Sequence, residues 1–239
     1  MDNKLISQMT SFKTGPLSCP KVSIVICTLN EGANLPKVLN KIPEWVGEVI
    51  LVDGYSKDDT VSVAKRMLPS IRILYQPGRG KDDAMKHGFR NATGEVIVTL
   101  DADGSTDPEQ ISEFVSQLLK GYDFSKGSRF LKDDPIMSLH RKFGNKMLTL
   151  LTNLLYGTKY TDVCCGYNAF WTKCLKKIDL PDNQFDYEPV LCAKIKKAGL
   201  RVAEIQCKDK GRISGNSKLP MLTQGSKAAI AILRQRLIS

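Results

Sequence analysis

Two aspartates stand at the end of an apolar segment in the middle of the chain. The run Glu95–Leu100 is typical of a buried strand, and Asp101 and Asp103 follow it with one alanine between them. In an extended chain, residues two positions apart point to the same side, so we expect both carboxylates on one face. Mg²⁺ and Mn²⁺ bind such carboxylates and complete their coordination with phosphate oxygens. The pair therefore predicts a metal site for a diphosphate ligand, although a solvated turn has a similar composition.

Two other polar segments lie where a predicted strand ends or a predicted helix begins. Asp53 closes the second strand-like run, and its carboxylate could accept a hydrogen bond from the imide N–H of uracil or guanine. The turn Gly78–Lys81 precedes a helix, so its backbone amides and the Lys81 ammonium could meet a phosphate. Taken singly, both segments are more typical of ordinary turns.

Cationic side chains recur near the predicted strand ends in the second half of the chain. Arg129 follows a strand and Arg141 lies at the start of a helix, and two guanidinium groups in such places suit phosphate oxygens. The loop after the last predicted strand carries Arg212 and Lys218 with hydroxyl side chains between them. Solvated arginines and a surface loop account for the same residues without a ligand, so both interpretations stay open.

The chain around these residues alternates strand and helix patterns, which predicts an α/β fold. Helices that connect successive strands produce a doubly wound, mostly parallel sheet, and ligands bind beyond the carboxyl ends of such strands. A short apolar patch at Ala169–Trp171 interrupts the alternation. The predicted strands are Val22–Cys27, Glu48–Val52, Ile71–Tyr75, Glu95–Leu100 and Val202–Cys207, and the main predicted helices are Asp58–Met67, Lys81–Asn91, Pro108–Leu119, Arg141–Tyr156 and Tyr187–Ala198.

Length and composition limit the domain organisation and the partners. The 239 residues suit a single domain at 21–220, preceded by a loosely ordered lead-in at 1–20 and followed by a basic amphipathic helix at 221–239. The net charge of +10 favours phosphorylated molecules or an anionic membrane, while the low aromatic content of 7 % argues against nucleic acid. Seven cysteines without C-x-x-C spacing, and no secretory signal or membrane span, lead us to expect a cytoplasmic protein, with peripheral membrane contact as an option.

Six short segments of the chain, taken together, resemble the motifs of a known enzyme family, although each is weak when taken alone. In their order and spacing, across about residues 20 to 220, they resemble the family 2 glycosyltransferases. The R-x-x-G-x-S-K-L ending at Arg212–Leu219 is most similar to the dolichyl-phosphate-mannose synthase group of polyprenyl-phosphate glycosyltransferases. The resemblance implies a GT-A fold, a single Rossmann-like domain. The segments are Ile26–Glu31, Val52–Gly54, Gly78–Ala84, Leu100–Asp103, Gly127–Arg129 and Arg212–Lys218.

The resemblance also implies roles for individual side chains. Asp101 and Asp103 would bind Mg²⁺ or Mn²⁺ together with the diphosphate. Ser105 stands where the mannose synthases often have a metal-binding glutamine, and Cys27 stands where many members have proline. The nucleotide pocket and the donor contacts would be formed by Thr28, Asn30, Glu31, Asp53 and Lys81, and the cations around the leaving diphosphate and an acceptor phosphate would be Arg129, Arg141, Arg212 and Lys218.

The predicted reaction is metal-dependent, inverting transfer of a hexose from a UDP- or GDP-sugar. A polyprenyl phosphate, dolichyl or undecaprenyl, is already anionic at neutral pH, so arginines such as Arg129 and Arg212 would suffice to position it beside Asp103. A saccharide or glycolipid hydroxyl needs a carboxylate to take its proton, and Asp186 or Glu188 is the candidate. Both acceptors remain open.

Two activities of other classes compete with glycosyl transfer. A sugar nucleotidyltransferase needs a glycine-rich phosphate loop after the first strand, and Thr28–Glu31 is not such a loop. A non-catalytic nucleotide-sugar-binding module would have lost carboxylates or arginines, whereas this chain retains the set. The sequence therefore favours a glycosyltransferase.

Overall fold

The computed structural model describes residues 19–132, 137–178, 187–208, 210–212, 214 and 221–237. Most of the predicted lead-in at 1–20 lies outside them. The strands are β1 (Val22–Thr28), β2 (Glu48–Asp53), β3 (Arg72–Tyr75), β4 (Val96–Asp101), β5 (Phe124–Ser128), β6 (Asn168–Trp171) and β7 (Val202–Gln206). The α-helices are α1 (Leu35–Leu39), α2 (Thr60–Met67), α3 (Lys81–Asn91), α4 (Ile111–Leu119), α5 (Leu139–Tyr156), α6 (Tyr187–Lys197) and α7 (Met221–Leu237).

Within the described residues the strands form one sheet in the order β3-β2-β1-β4-β6-β5-β7. Neighbours pair in parallel except at β6, which runs antiparallel to both β4 and β5. The prediction of a doubly wound, mostly parallel sheet is confirmed. The apolar patch predicted at Ala169–Trp171 is most of β6, a strand too short to show periodicity of its own.

The sheet is buried on both faces because its central strands are apolar at nearly every position. On β1, Ile24 and Ile26 pack toward α1, α2 and α4, whereas Val25 faces the other way toward α3 and α6. All three side chains are inaccessible to solvent. Continuous apolar runs of this kind are typical of parallel strands covered by helices on both sides.

Three helices pack on one another beside the sheet. Tyr156 of α5 donates a hydrogen bond from its hydroxyl to the Ile232 carbonyl of α7 at 2.7 Å, and Ala193 of α6 joins the same apolar cluster. The C-terminal helix is thereby anchored to the domain along one side. Among the described helices, none combines the length and the apolar character that crossing a bilayer requires.

The strand directions bring distant segments to one edge of the sheet. The carboxyl ends of β1 to β4 share this edge, and β5 and β7 point the same way because β6 reverses the direction between β4 and β5. For the same reason the segment that enters β6, residues 162–167, begins at this edge. Side chains from positions 28 to 214 can therefore meet there.

Candidate active site

Asp101 is the last residue of β4, and its carboxylate is held by a lysine from the neighbouring helix. Lys81, the first residue of α3, donates from Nζ to Asp101 Oδ1 at 2.7 Å and to Glu188 Oε1 of α6 at 2.6 Å. Burial disfavours the charge of Lys81, but the two carboxylates outweigh burial and hold its pKa well above the usual value. Lys81 therefore stays a cation that joins two acids from opposite halves of the chain.

Asp103 is held by a different cation. Because β4 ends at Asp101, Ala102 and Asp103 belong to a turn, and the strand alternation expected to place both carboxylates on one face does not reach Asp103. Arg212 Nη1 lies 3.3 Å from Asp103 Oδ2, while its Nη2 contacts both oxygens of Glu31 at 2.5 and 2.7 Å. Arg212 thus connects the loops that follow β1, β4 and β7.

Arg129 does not stand free at the edge of the sheet. Its Nε and Nη2 donate to the two oxygens of Asp162 at 2.7 and 3.1 Å, and the Asp162 side chain is wholly buried. Burial raises the pKa of Asp162, but the Arg129 guanidinium reverses this effect and keeps that pKa below its ordinary value. The positive charge predicted to meet a phosphate is therefore largely balanced within the protein.

The charges of both predicted arginines also act on Asp101, the first predicted metal ligand. Burial raises the pKa of Asp101, and the charges of Lys81, Arg129 and Arg141 together lower it below the ordinary value. Lys81 contacts Asp101 directly, whereas Arg129 and Arg141, which lies in the first turn of α5, act on it through their charge.

The residues predicted to line the nucleotide pocket are joined by hydrogen bonds. Asp53 is buried and accepts from Thr28 Oγ1 at 3.1 Å, from Ser56 Oγ at 2.5 Å and from the Ser56 backbone N–H at 2.8 Å. Asn30, at a left-handed φ of 54°, accepts from the Lys57 backbone N–H at 2.7 Å. These bonds hold the loops after β1 and β2 in fixed positions, and Asp53 has most of its acceptor capacity in use.

Gly166 makes the close approach of the β6 segment to Asp101 possible. A Cβ at position 166 would lie 2.6 Å from Asp101 Oδ2 and 3.0 Å from Oδ1, so no other residue fits without displacing the carboxylate. The Gly166 carbonyl accepts from Thr99 Oγ1 at 2.6 Å, which fixes the backbone there. Neither this contact nor the Asp162–Arg129 pair was predicted, although the spacing Asp162-x-x-x-Gly166 was a signal.

The donor set at this edge fits a hard divalent cation that arrives with phosphate. Asp101 and Asp103 offer carboxylate oxygens, and among the described residues no third acidic, histidine or cysteine side chain completes a cluster with them. Mg²⁺ and Mn²⁺ are commonly bound by one or two carboxylates, with phosphate and water as the remaining ligands. Two further predicted residues, Lys218 and Asp186, lie outside the described residues.

Comparisons with known proteins agree with this architecture. The model of the family described as glycosyl transferase family 2 matches residues 23–179. An uncharacterized glycosyltransferase of Mycobacterium tuberculosis is 29 % identical over 213 residues, which cover 87 % of this chain and 94 % of that protein. An undecaprenyl-phosphate 4-deoxy-4-formamido-L-arabinose transferase of Yersinia pestis is 28 % identical over 84 % of this chain, which spans 63 % of that protein.

Solved structures resemble the chain over nearly its whole length. A glucosyl-3-phosphoglycerate synthase from Mycobacterium tuberculosis, crystallised with Mn²⁺, UDP and glucosyl-3-phosphoglycerate, superimposes with a TM-score of 0.74 and covers 97 % of this chain and 83 % of that one. The two sequences are 20 % identical, so the likeness bears on the fold. It confirms the predicted GT-A fold.

Proposed function

The chain belongs to glycosyl transferase family 2 and is a glycosyltransferase, and we propose that it moves a hexose from a nucleoside-diphosphate sugar to a polyprenyl phosphate with inversion and with Mg²⁺ or Mn²⁺ bound. The observation that carries the proposal is the pairing of charges at the sheet edge. Lys81 binds Asp101, and Arg212 binds Asp103. Each predicted metal ligand is therefore matched with a cation of the protein.

This pairing suits a ligand that brings both signs of charge. Lys81 and Arg212 are the side chains that diphosphate oxygens would take as partners, since guanidinium and ammonium groups bind phosphate strongly. Once Lys81 and Arg212 bind phosphate, Asp101 and Asp103 lose these partners and become the oxygen donors that would hold the metal. A bound Mg²⁺ or Mn²⁺ supplies charge neutralisation for the diphosphate leaving group as the glycosidic bond breaks.

A remaining cation and a relative support the polyprenyl-phosphate acceptor. Arg129 is paired with Asp162, so Arg141, whose charge also acts on Asp101, is the cation that a second phosphate approaching the diphosphate would meet. A phosphate monoester with a second pKa of about 6 is an anion at neutral pH and needs no strong general base. The Yersinia pestis relative, whose name describes a transferase to undecaprenyl phosphate, supports this acceptor class.

One contact favours a hydroxyl acceptor as the second candidate. Lys81 holds Glu188 beside Asp101, so Glu188 is placed where a carboxylate could take a proton from an attacking saccharide hydroxyl. The fold neighbour was crystallised with glucosyl-3-phosphoglycerate, which supports a variant of this reaction in which the molecule that carries the acceptor hydroxyl also carries a phosphate.

Two variants separate the acceptors once the donor has been found. Thermal-shift screening against UDP- and GDP-sugars with Mn²⁺ identifies the donor, because a ligand that binds the native state raises the melting temperature. With a short polyprenyl phosphate as acceptor, Arg212→Ala should lower kcat/KM at least about tenfold, equivalent to about 1.4 kcal/mol of transition-state binding. Glu188→Gln retains an acceptor for Lys81 and should be tolerated. Inert polyprenyl phosphates, together with loss of transfer to a saccharide in Glu188→Gln, would establish the hydroxyl reaction instead.

A further inference from the structure

The described surface concentrates its exposed apolar side chains on two helices. Of the fourteen large apolar residues that are exposed, eight lie on α5 and α7. On α5 they recur every three or four residues and so form a single row along the helix. The α5 row is Leu139, Phe143, Met147, Leu150 and Leu154, and the α7 row is Ile230, Leu233 and Leu237.

These rows are not the faces that hold the helices to the domain. The opposite side of α5, which includes Thr152 and Tyr156, is buried, and α7 packs through Ala228 and Ile232. Within the rows, Phe143 keeps 68 % and Leu154 keeps 74 % of its surface exposed. Each helix therefore has one apolar side that stabilises the fold and a second that does not.

The charged residues of the two helices all have one sign. Helices α5 and α7 contain six arginines and lysines and no aspartate or glutamate. An apolar row flanked by basic side chains is the pattern of a helix that lies in the interface of an anionic membrane, with its apolar side buried about 5–10 Å into the lipid. The same positive charge opposes contact with a second copy of this surface, because like charges would face each other.

Helix α5 also connects this surface to the candidate active site. Thr149 of this helix accepts a hydrogen bond from the Val163 backbone N–H at 3.2 Å, next to Asp162, which binds Arg129. Leu150, the following residue of α5, belongs to the exposed row. A lipid whose chain lies in the bilayer and whose phosphate lies at the membrane surface would reach the protein from this side.

We propose that the apolar rows of α5 and α7 dock the enzyme on an anionic lipid bilayer, so that a lipid acceptor reaches the candidate active site on the side of α5. The proposal rests on the polyprenyl-phosphate acceptor of the proposed function. It adds the partner surface, a bilayer with anionic head groups, and the helices that bind it.

The test measures vesicle binding with no donor or acceptor present. Full-length protein is sedimented with phosphatidylcholine vesicles that contain phosphatidylglycerol and with pure phosphatidylcholine vesicles, at low and high salt. Wild-type protein should bind the anionic vesicles in a salt-sensitive way. Leu150→Gln/Leu154→Gln should weaken binding at least about tenfold, because two apolar side chains would no longer be buried in the lipid. The double variant Leu233→Gln/Leu237→Gln tests the α7 row in the same way.

A matched control distinguishes binding through this surface from nonspecific adsorption through any exposed apolar side chain. Trp45→Gln/Leu119→Gln also removes two exposed apolar side chains, but from elsewhere on the domain, and should bind vesicles as wild type does. Circular dichroism of every variant should be unchanged because none of these side chains is buried. Absent binding, equal binding to neutral vesicles, or unchanged binding of both row variants would overturn the proposal.

Two further measurements separate the other outcomes. If light scattering shows a dimer that Leu150→Gln/Leu154→Gln converts to a monomer, the α5 row is a contact between two copies and the membrane proposal is wrong. Transfer to a water-soluble, short-chain polyprenyl phosphate should be the same in this variant and in wild type. Failure of vesicle binding with intact transfer refutes only the docking surface, whereas absent transfer with intact binding refutes the proposed acceptor.

Discussion

Replacing Gly166 by alanine should disable the site through a single added methyl group. The Cβ would lie 2.6 Å from Asp101 Oδ2, where relaxed contacts begin near about 3.5 Å. The backbone cannot retreat easily, because the Gly166 carbonyl is bonded to Thr99 and β6 follows two residues later. The Asp101 carboxylate must therefore move by about 1 Å, which disturbs its 2.7 Å contact with Lys81.

The expected loss follows from this displacement. Misplacing a group at a reacting centre by about 1 Å can cost about 100-fold in rate, which corresponds to about 2.7 kcal/mol in the activation free energy. We expect kcat/KM for sugar transfer to fall by that factor in Gly166→Ala, and the Mn²⁺ concentration needed for half-maximal activity to rise. The protein should remain folded, because the side chain that moves is a partly exposed carboxylate at a strand end.

Gly144→Ala is the matched control for this experiment. Gly144 lies inside α5, where a Cβ would meet nothing within 4 Å. Alanine there should raise the free energy of unfolding by about 0.5–1 kcal/mol and leave transfer unchanged. Wild-type turnover and an unaltered Mn²⁺ titration in Gly166→Ala would show that Asp101 does not act at the reacting centre, and the geometric reasoning would be refuted.

Three further expectations concern charge. Asp103→Asn should abolish metal-dependent transfer while circular dichroism stays constant, because a turn carboxylate contributes little packing. Wild-type activity in the variant, or wild-type protein that stays active in EDTA, would contradict the metal assignment. Asp162→Asn should lower the free energy of unfolding in urea by about 3 kcal/mol, since it leaves the Arg129 charge buried without its partner, whereas Arg201→Gln, at an exposed ion pair, should cost less than about 1 kcal/mol. Burial disfavours ionisation of Glu48, but hydrogen bonds from Ser23, Thr93 and Arg72 outweigh it and lower its pKa from 4.5 to about 2. The stability that this carboxylate contributes is present above pH 4.5 and is lost as the pH falls toward about 2. In Glu48→Gln the free energy of unfolding should therefore fall less steeply with decreasing pH in this range. An unchanged pH dependence would exclude Glu48 as a cause of acid destabilisation.

The elements that the sequence predicted well are those with strong local signals. The short apolar runs of β1 and β4 are rich in valine and isoleucine and so favour buried strands, from which the sheet and the position of Asp101 at its edge were predicted. Helix α2 begins at Thr60 and not at Asp58, because the Asp58 carboxylate accepts the Thr60 backbone N–H at 3.0 Å and precedes the helix.

The partners of the charged residues could not be predicted in the same way. Arg129 follows β5 and Asp162 precedes β6, and only the reversal of β6 brings their segments to one edge. Asp53 was expected to face a base. Its bond to Ser56 is local, but its bond to Thr28, 25 positions away, could not be predicted from the neighbouring residues. Pairings between distant segments depend on the assembled sheet, which periodicity does not encode.

The ion pair between Arg212 and Glu31 has a consequence for the order in which parts of the enzyme fold. The two residues are 181 positions apart, so the bond closes a loop that contains most of the chain. Loops of this length form late in folding, because their entropic cost must be met before any contact at their ends can stabilise them. Secondary structure can return early on refolding from urea, whereas the site needs the segment of Arg212 in place. We therefore expect recovered activity to lag behind recovered circular dichroism, and a chain still emerging from the ribosome to be inactive until Arg212 has left it.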